Sequence, residues 1–410
     1  MKVQVKAVVY TKKEVMQYVN EEDVKFIRLA FCDVFGNQRN ISIMPDELER
    51  AFENGISIDA SAVEGFGGEV YSDLLLFPDP ATLSVLPWRP SHGRVVRMFC
   101  SVTYPDRRPF DADSRKILKD AVKTAFNDGY VFTFGSELEF YLFKTDENGE
   151  PTDIPYDNAA YMDIAPADKG ENIRREICLT LEQMGIKPQS SHHEEGPGQN
   201  EINFRFSDAL TAADNAVTFV WVVKTVAARN GLYASFMPKP VADKPGNSFH
   251  INMSVAKMND GRDLLPYAIA GIMNRISDMT VFFNPMENSY ERLGKDKAPK
   301  FITWSPENRS QLIRVPAAEG ECKRIELRSP DPLANPYIAY ALLIYAMIDG
   351  IKKEELPPQA ENINVLALAP DEQAKYAKIP NNLKDAKACA QKSEFVKNVM
   401  PEAVTRNYCK

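Results

Sequence analysis

Alternating apolar and polar positions dominate the first hundred residues, which read mainly as strands. Residues 25–31 and 38–43 are β-rich runs separated by Asp33-Val34-Phe35-Gly36-Asn37, whose turn chemistry predicts a hairpin. Met44-Pro45-Asp46-Glu47 then carries a helix-start signal near Pro45. Pro78, Pro80, Pro87 and Pro90 punctuate the next stretch, and Tyr104-Pro105-Asp106-Arg107-Arg108-Pro109 reads as a linker. Two domains are therefore expected, 1–105 and 106–410. Past the linker the period changes to that of helices, predicted over 113–128, 172–184, 208–229, 266–283 and 336–352, with short strand-like segments between them. No low-complexity tract or internal repeat interrupts this pattern.

The strands of the second part carry an unusual polar face. In Ser136-Glu137-Leu138-Glu139-Phe140 the two carboxylates are two positions apart. Successive strand side chains point to opposite faces, so Glu137 and Glu139 share one face while Leu138 and Phe140 take the other. The same rule gives Glu201 a polar face in Glu201-Ile202-Asn203-Phe204-Arg205-Phe206. It puts His250, Asn252 and Ser254 on one face, and Arg324, Glu326 and Arg328 on another. A sheet with one solvated face alternates in the same way. Such a face is usually a mixture of Thr, Lys, Ser and Glu, whereas these faces hold almost only carboxylates, His and Arg. Like charges side by side destabilise a sheet, so the clustered carboxylates call for cations.

Composition narrows the class. The 410 residues are 44% hydrophobic and 26% charged, which is ordinary globular usage and excludes disorder, collagen-like repeats and coiled coil as the main architecture. A net charge of -8 argues against nucleic acid and anionic membrane as partners. No apolar run reaches the roughly 18 residues of a membrane helix. The start, MKVQVKAVVYTKKEV, lacks the apolar core of about 7–15 residues that a signal peptide carries. The six cysteines, Cys32, Cys100, Cys178, Cys322, Cys389 and Cys409, are widely spaced and form no C-x-x-C pair. That fits reduced thiols in a soluble cytoplasmic protein better than a disulfide framework.

The segment Ser191-His192-His193-Glu194-Glu195-Gly196-Pro197-Gly198-Gln199-Asn200-Glu201 adds carboxylates on both sides of a Gly/Pro turn. The paired histidines suggest zinc, but H-E-x-x-H and C-x-x-C spacings are absent. Many Glu with one His fit hard Mg²⁺ or Mn²⁺ better. Arg309, Arg314, Arg324 and Arg328 bring guanidinium forks that match phosphate and carboxylate geometry, beside the more common fate of surface salt bridging. Arginines beside a metal–carboxylate cluster suggest phosphoryl transfer. No P-loop or kinase glycine loop is present.

Taken together, Gly135-Ser136-Glu137-Leu138-Glu139-Phe140, His192-His193-Glu194, Gly198-Gln199-Asn200-Glu201, Asn308-Arg309-Ser310, Arg324-Ile325-Glu326-Leu327-Arg328-Ser329-Pro330-Asp331 and Asn335-Pro336-Tyr337 resemble the glutamine synthetase superfamily, nearest the bacterial type I enzymes. The similarity runs from about residue 20 to the C-terminus. It implies an α+β fold: an N-terminal β-grasp domain and a catalytic domain whose curved antiparallel sheet is flanked by helices. It also implies a homododecamer of two hexameric rings with active sites between neighbours. Glu139, Glu194 and Glu201 match the ligands of one metal, and Glu137, His250 and Glu326 those of a second. Arg309, Arg314 and Arg324 match residues around the ATP phosphates, and Asn252 and Ser254 lie at positions beside the nucleotide. Arg292 matches the residue holding the glutamate α-carboxylate, Arg328 an arginine near the acyl phosphate, and Gly246 a backbone contact to substrate. Asp59 matches the aspartate that reaches a neighbour's site and helps bind and deprotonate ammonium. The implied reaction turns glutamate, ammonia and ATP into glutamine, ADP and phosphate through a γ-glutamyl phosphate.

Two segments depart from that family pattern. Arg292-Leu293-Gly294-Lys295-Asp296-Lys297-Ala298-Pro299 places Lys297 where a flap glutamate is expected, and the segment is one residue shorter. A lysine there repels an ammonium ion. Pro245-Gly246-Asn247-Ser248-Phe249-His250 has Pro245 in place of a substrate-contacting asparagine. Phosphoryl-transfer chemistry thus reads as complete and amine recognition as altered. The alternatives are a γ-glutamyl ligase using an amine other than ammonium and a non-catalytic scaffold relative, the last disfavoured because all six metal-ligand positions are filled.

Overall fold

The computed structural model describes residues 10–70, 72–89, 92–258, 260–318, 320 and 323–410. Residues 1–9, Pro90 and Cys322 lie outside the described residues. The chain divides into two compact units. One runs through Lys116 and takes in Thr180–Ile186, and the other comprises Ile117–Leu179 and Lys187–Lys410.

The first unit opens with a helix, α1 (Lys12–Glu21), where the sequence pattern favoured strands. Its signals are short-range. Thr11 and Glu14 form a capping box, and Val15 and Val19, one turn apart, are buried. The expected hairpin follows as β1 (Val24–Cys32) and β2 (Gln38–Ile43), paired antiparallel. Buried Asp33 closes its turn by accepting the backbone N–H of Phe35 (3.0 Å) and Asn37 (2.9 Å). Pro45–Glu47 forms a 3-10 turn that leads into α2 (Leu48–Asn54). The remaining strands are β3 (Ile56–Asp59), β4 (Asp73–Pro78), β5 (Ser84–Val85) and β6 (Arg94–Thr103). Their order is β2-β1-β6-β4-β3, with β5 on β6. The β1–β6 pair is parallel and the other pairs are antiparallel, which makes a mixed β-grasp sheet.

After α3 (Ser114–Asn127), the second unit is organised by one long strand, β7 (Tyr130–Thr145). The chain continues through β8 (Pro151–Pro155), α4 (Glu171–Gln183), β9 (Pro188–His193), β10 (Gln199–Phe204), β11 (Ser207–Asp208) and α5 (Ala209–Arg229). Then come β12 (Leu232–Ser235), β13 (Phe249–Lys257), α6 (Leu265–Phe283) and α7 (Glu287–Arg292). Next are β14 (Trp304–Ser305), β15 (Ile313–Arg314), β16 (Ile325–Leu327) and α8 (Pro336–Lys353), followed by α9 (Pro370–Gln373), α10 (Leu383–Lys392), α11 (Glu394–Val399) and α12 (Glu402–Cys409). The sheet order is β14-β15-β16-β13-β7-β10-β9, with β8, β11 and β12 also on β7. All pairs are antiparallel except β14–β15.

Helices cover the even-numbered face of β7. Tyr340 of α8 stacks on Phe134 (4.3 Å, 17°), and its hydroxyl is 2.6 Å from Ser136 Oγ. Tyr337 donates to Asp214 of α5 (2.6 Å). α6 and α8 touch through glycines: a Cβ on Gly271 would lie 2.1 Å from the Ala346 carbonyl oxygen. With Leu138 and Phe140 buried on this side, Glu137 and Glu139 have only the opposite face.

Candidate active site

Strand register assembles the polar side chains. Glu139 of β7 lies opposite Glu201 of β10, which lies opposite His192 of β9. Glu137 is flanked by Asn203 on one side and His250 on the other. Asn252 of β13 lies opposite Glu326 of β16, and Glu326 opposite Arg314 of β15. The face that alternation predicts strand by strand is thus one continuous surface across six strands.

Two groups on it can each converge on a cation. Glu137, Glu201 and His250 each offer a ligand atom within 4.8 Å of the others, as do His192, Glu194 and Glu201. His250 Nδ1 is 3.5 Å from Glu137 and 3.7 Å from Glu326. His192 Nε2 is 3.3 Å from Glu201, and its Nδ1 is 3.4 Å from Glu194. Glu139 and Glu326, also expected as ligands, have protein partners as well. Glu139 accepts from the Ser248 backbone N–H (2.8 Å) and from Gln199 Nε2 (3.3 Å), and Glu326 is bound by arginines. His192 is the residue the sequence reading left out. Its place depends on the β9–β10 register, which no local pattern announces.

The electrostatics of this face favour positive charge. Burial, with Glu194 and Glu201 close by, raises the Glu139 carboxyl well above its ordinary range. Burial and Glu201 push Glu194 up to about 7. Burial, then Arg328, holds His250 down to about 3, so its imidazole is neutral and free to ligate. At Glu326, burial pushes upward but the Arg328 and Arg314 guanidinium groups bound to it outweigh that, and the group stays below the usual range. Carboxylates crowded by burial and by each other, beside a neutral imidazole, fit a hard divalent cation. A third group, Asp157, Asp168 and His193, has its donors already spent. His193 Nε2 meets Asp157 Oδ1 at 2.9 Å, and Arg174 bridges Asp168 and Asn200.

The arginines form the other wall. Arg314 donates to Glu326 at 2.8 Å, and Arg328 bonds the same carboxylate through Nη1. Arg324 Nε donates to Asn252 Oδ1 (2.8 Å), while Asn252 Nδ2 donates to Glu137 Oε1 (2.8 Å). Arg292 is 2% exposed; its Nη1 donates to the Ser329 carbonyl (2.8 Å), and its Nη2 to Ser248 Oγ (2.8 Å) and the Arg328 carbonyl (3.1 Å). The Nε–H groups of Arg292, Arg314 and Arg328 are buried without a partner. Such donors are costly unless an anion meets them.

The other expected residues have local settings of their own. Ser254, further along β13, is 2.7 Å from Thr133 Oγ1. Arg309 is exposed in a turn built on Asn308. Asp59 belongs to the first unit, where it is exposed and its Oδ1 accepts from Ser61 N (2.9 Å) and Ser61 Oγ (2.6 Å). Gly246 sits in the loop before β13: its carbonyl accepts from Gln199 (3.1 Å), and Tyr141 donates to the neighbouring Pro245 carbonyl (2.7 Å).

Residues 23–105 match the family model described as glutamine synthetase, beta-Grasp domain, and residues 111–410 match glutamine synthetase, catalytic domain. The chain belongs to the glutamine synthetase family. It is therefore an ATP-dependent ligase that forms an amide carbon–nitrogen bond. A glutamine synthetase of Clostridium saccharobutylicum is 44% identical over 97% of this chain and 93% of the relative. One of Methanosarcina mazei is 43% identical over 97% and 92%. Among solved structures, one titled GmaS/ADP complex-Conformation 1 superposes with a TM-score of 0.87 at 29% identity, covering 96% of this chain and 93% of that one. No described helix of this family member is long and apolar enough to cross a membrane.

Proposed function

We propose that the chain phosphorylates the side-chain carboxylate of glutamate with ATP and passes the γ-glutamyl group to ammonium, releasing glutamine, ADP and phosphate. The supporting observation is the Glu137–Glu201–His250 group, which adjoins Glu326 (3.7 Å from His250) and through it Arg314 and Arg328, whose buried Nε–H groups have no partner. Glu137, Glu139, Glu194, Glu201, His250 and Glu326 are the residues that would hold two Mg²⁺ or Mn²⁺ ions, which when bound neutralise phosphate charge and polarise the transferred group. Arg314 and Arg324 face the phosphates, with Arg309 closing from its turn and Asn252 and Ser254 alongside the nucleotide. Arg292 and the Gly246 backbone hold the glutamate. Arg328, anchored on Glu326, stabilises the charge that develops on the acyl phosphate. The carboxylate needs this activation because it is a poor electrophile until one oxygen becomes a leaving group. Asp59, presented from the first unit, completes the amine site of a neighbouring subunit in a homododecamer of two hexameric rings. The described cysteines form no disulfide with one another, in keeping with a cytoplasmic setting.

A second reading, an amine other than ammonium, is favoured by one feature: the flap presents Lys297, paired with Glu195, and no carboxylate at that position. The test is ATP-dependent phosphate release with Mg²⁺ or Mn²⁺, glutamate and a panel of amines, with product masses determined. Glutamine formation supports the first reading, and turnover only with larger amines supports the second. Silence with every amine, together with no thermal shift from metal and ATP, would leave the non-catalytic scaffold.

A further inference from the structure

Lys297 is delivered by a turn with fixed geometry. Gly294 N–H donates to the Ala298 carbonyl (3.1 Å), and Ala298 N–H to Lys295 (2.9 Å). The preceding Asp296 is tied 3.5 Å from Lys239, a lysine only 6% exposed whose ammonium also bonds the Lys244 carbonyl. The flap is therefore pinned beside the substrate loop, and Lys297 projects from a held backbone. Its ammonium pairs with Glu195 and lies 6.0 Å from the Tyr161 ring centroid. Tyr161 meets His192 edge-on at 5.6 Å, and the Glu195 backbone N–H donates to the Glu194 carboxylate (3.2 Å). A cation and an anion thus stand side by side at the exposed rim of the buried carboxylate cluster.

The pair is open to exchange. Its side chains are 58% and 36% exposed, and exposed ion pairs contribute little to stability. A staple for the fold would be buried and would hold its geometry with several partners. This one offers its two charges to solvent, next to an aromatic face that is 49% exposed.

We propose that Lys297 is a specificity-determining residue and that, beyond ammonium, the rim admits amines carrying their own carboxylate. A zwitterionic aminocarboxylate is complementary to it: the carboxylate meets Lys297 and the ammonium meets Glu195. The inference rests on the γ-glutamyl phosphate chemistry proposed above. In the reaction the amine nitrogen bonds the γ-acyl carbon, the acyl carbon–oxygen bond to phosphate breaks, and phosphate leaves with the electron pair. The amine gives its surplus protons to solvent. The product is a γ-glutamyl amino acid.

Glycine and methylamine differ by the carboxylate alone and make the sharpest pair. The full-length protein with ATP, Mg²⁺ or Mn²⁺ and glutamate is assayed with each, and hydroxylamine traps the activated acyl group as a hydroxamate. The expected result is a glycine-to-methylamine ratio of kcat/KM of at least ten in the wild type. That ratio falls at least tenfold in K297A, inverts in K297E and returns in K297R. A wild-type ratio at or below one, or a K297A variant that slows both amines equally, overturns the specificity role while hydroxamate formation leaves the ligase reading intact. Absence of hydroxamate in the wild type defeats the ligase reading, and this inference with it.

Discussion

Gly246 shows how tightly a single position at the site is determined. A Cβ there would stand 2.5 Å from the Pro238 carbonyl oxygen and 2.9 Å from Arg292 Cγ. Backbone cannot yield as a flexible side chain does, so G246A must displace the loop, Arg292, or both. Overpacking of this kind costs about 1–3 kcal/mol. The expected phenotype is a KM for glutamate raised tenfold or more with a modest loss of thermal stability, read by steady-state kinetics and melting; unchanged KM would show that Arg292 does not hold this substrate. A second residue-scale prediction concerns Glu201, shared by both cation groups: E201Q keeps the shape but removes the charge, and metal-dependent thermal stabilisation should fall with it. Glu137 and Glu139 were legible in the sequence because a period of two needs no knowledge of neighbours. His192 was not. It is placed by its pairing with Glu201, while adjacent His193 turns to Asp157 and away from the cluster.

Elements divide along the same line. The long helices were readable because α5, α6 and α8 repeat their apolar pattern over several turns. α1 escaped because its signal is one capping box and one buried valine pair, set in a region rich in strand patterns. β14 and β15 are two residues each, too short for any periodicity; β15 exists through its pairing with β16, and β14 through its pairing with β15. What the pattern does not reveal is how close two helices come. Gly271 and Gly350 meet at the α6–α8 crossing, where a Cβ on Gly350 would be 2.3 Å from the Tyr267 carbonyl oxygen. Tyr340 of α8 in turn supports β7 through Phe134 and Ser136. Gly271→Val should therefore separate the helices, destabilise the fold by about 3 kcal/mol, the upper end of the usual overpacking cost, and loosen the strand that carries Glu137 and Glu139. Denaturant unfolding of the variant measures this; stability within about 0.5 kcal/mol of wild type would mean the crossing is not closely packed.

For the whole molecule, the carboxylate face couples folding to pH and to metal. Burial and Glu201 raise Glu194 from an ordinary value of 4.5 to about 7, and burial with its two neighbours raises Glu139. Between those two values the native state of the metal-free protein holds a proton at Glu194 that the unfolded chain has released. Stability from this group therefore falls as pH rises from about 4.5 to about 7, and is recovered on acidification through the same window. A divalent cation binds the ionised carboxylates and displaces those protons. The stabilising increment from Mg²⁺ or Mn²⁺ should consequently grow as pH rises from 5 to 7.5, because the metal-free baseline declines while ligands ionise. Melting temperatures at matched ionic strength, with chelator and with metal, give the increment directly. E194Q removes the titrating group, so its metal-free baseline should flatten across this window while its response to metal shrinks. An increment that is constant with pH in the wild type would mean that the carboxylates are already ionised without metal, and that the crowding on this face is relieved by its own arginines instead.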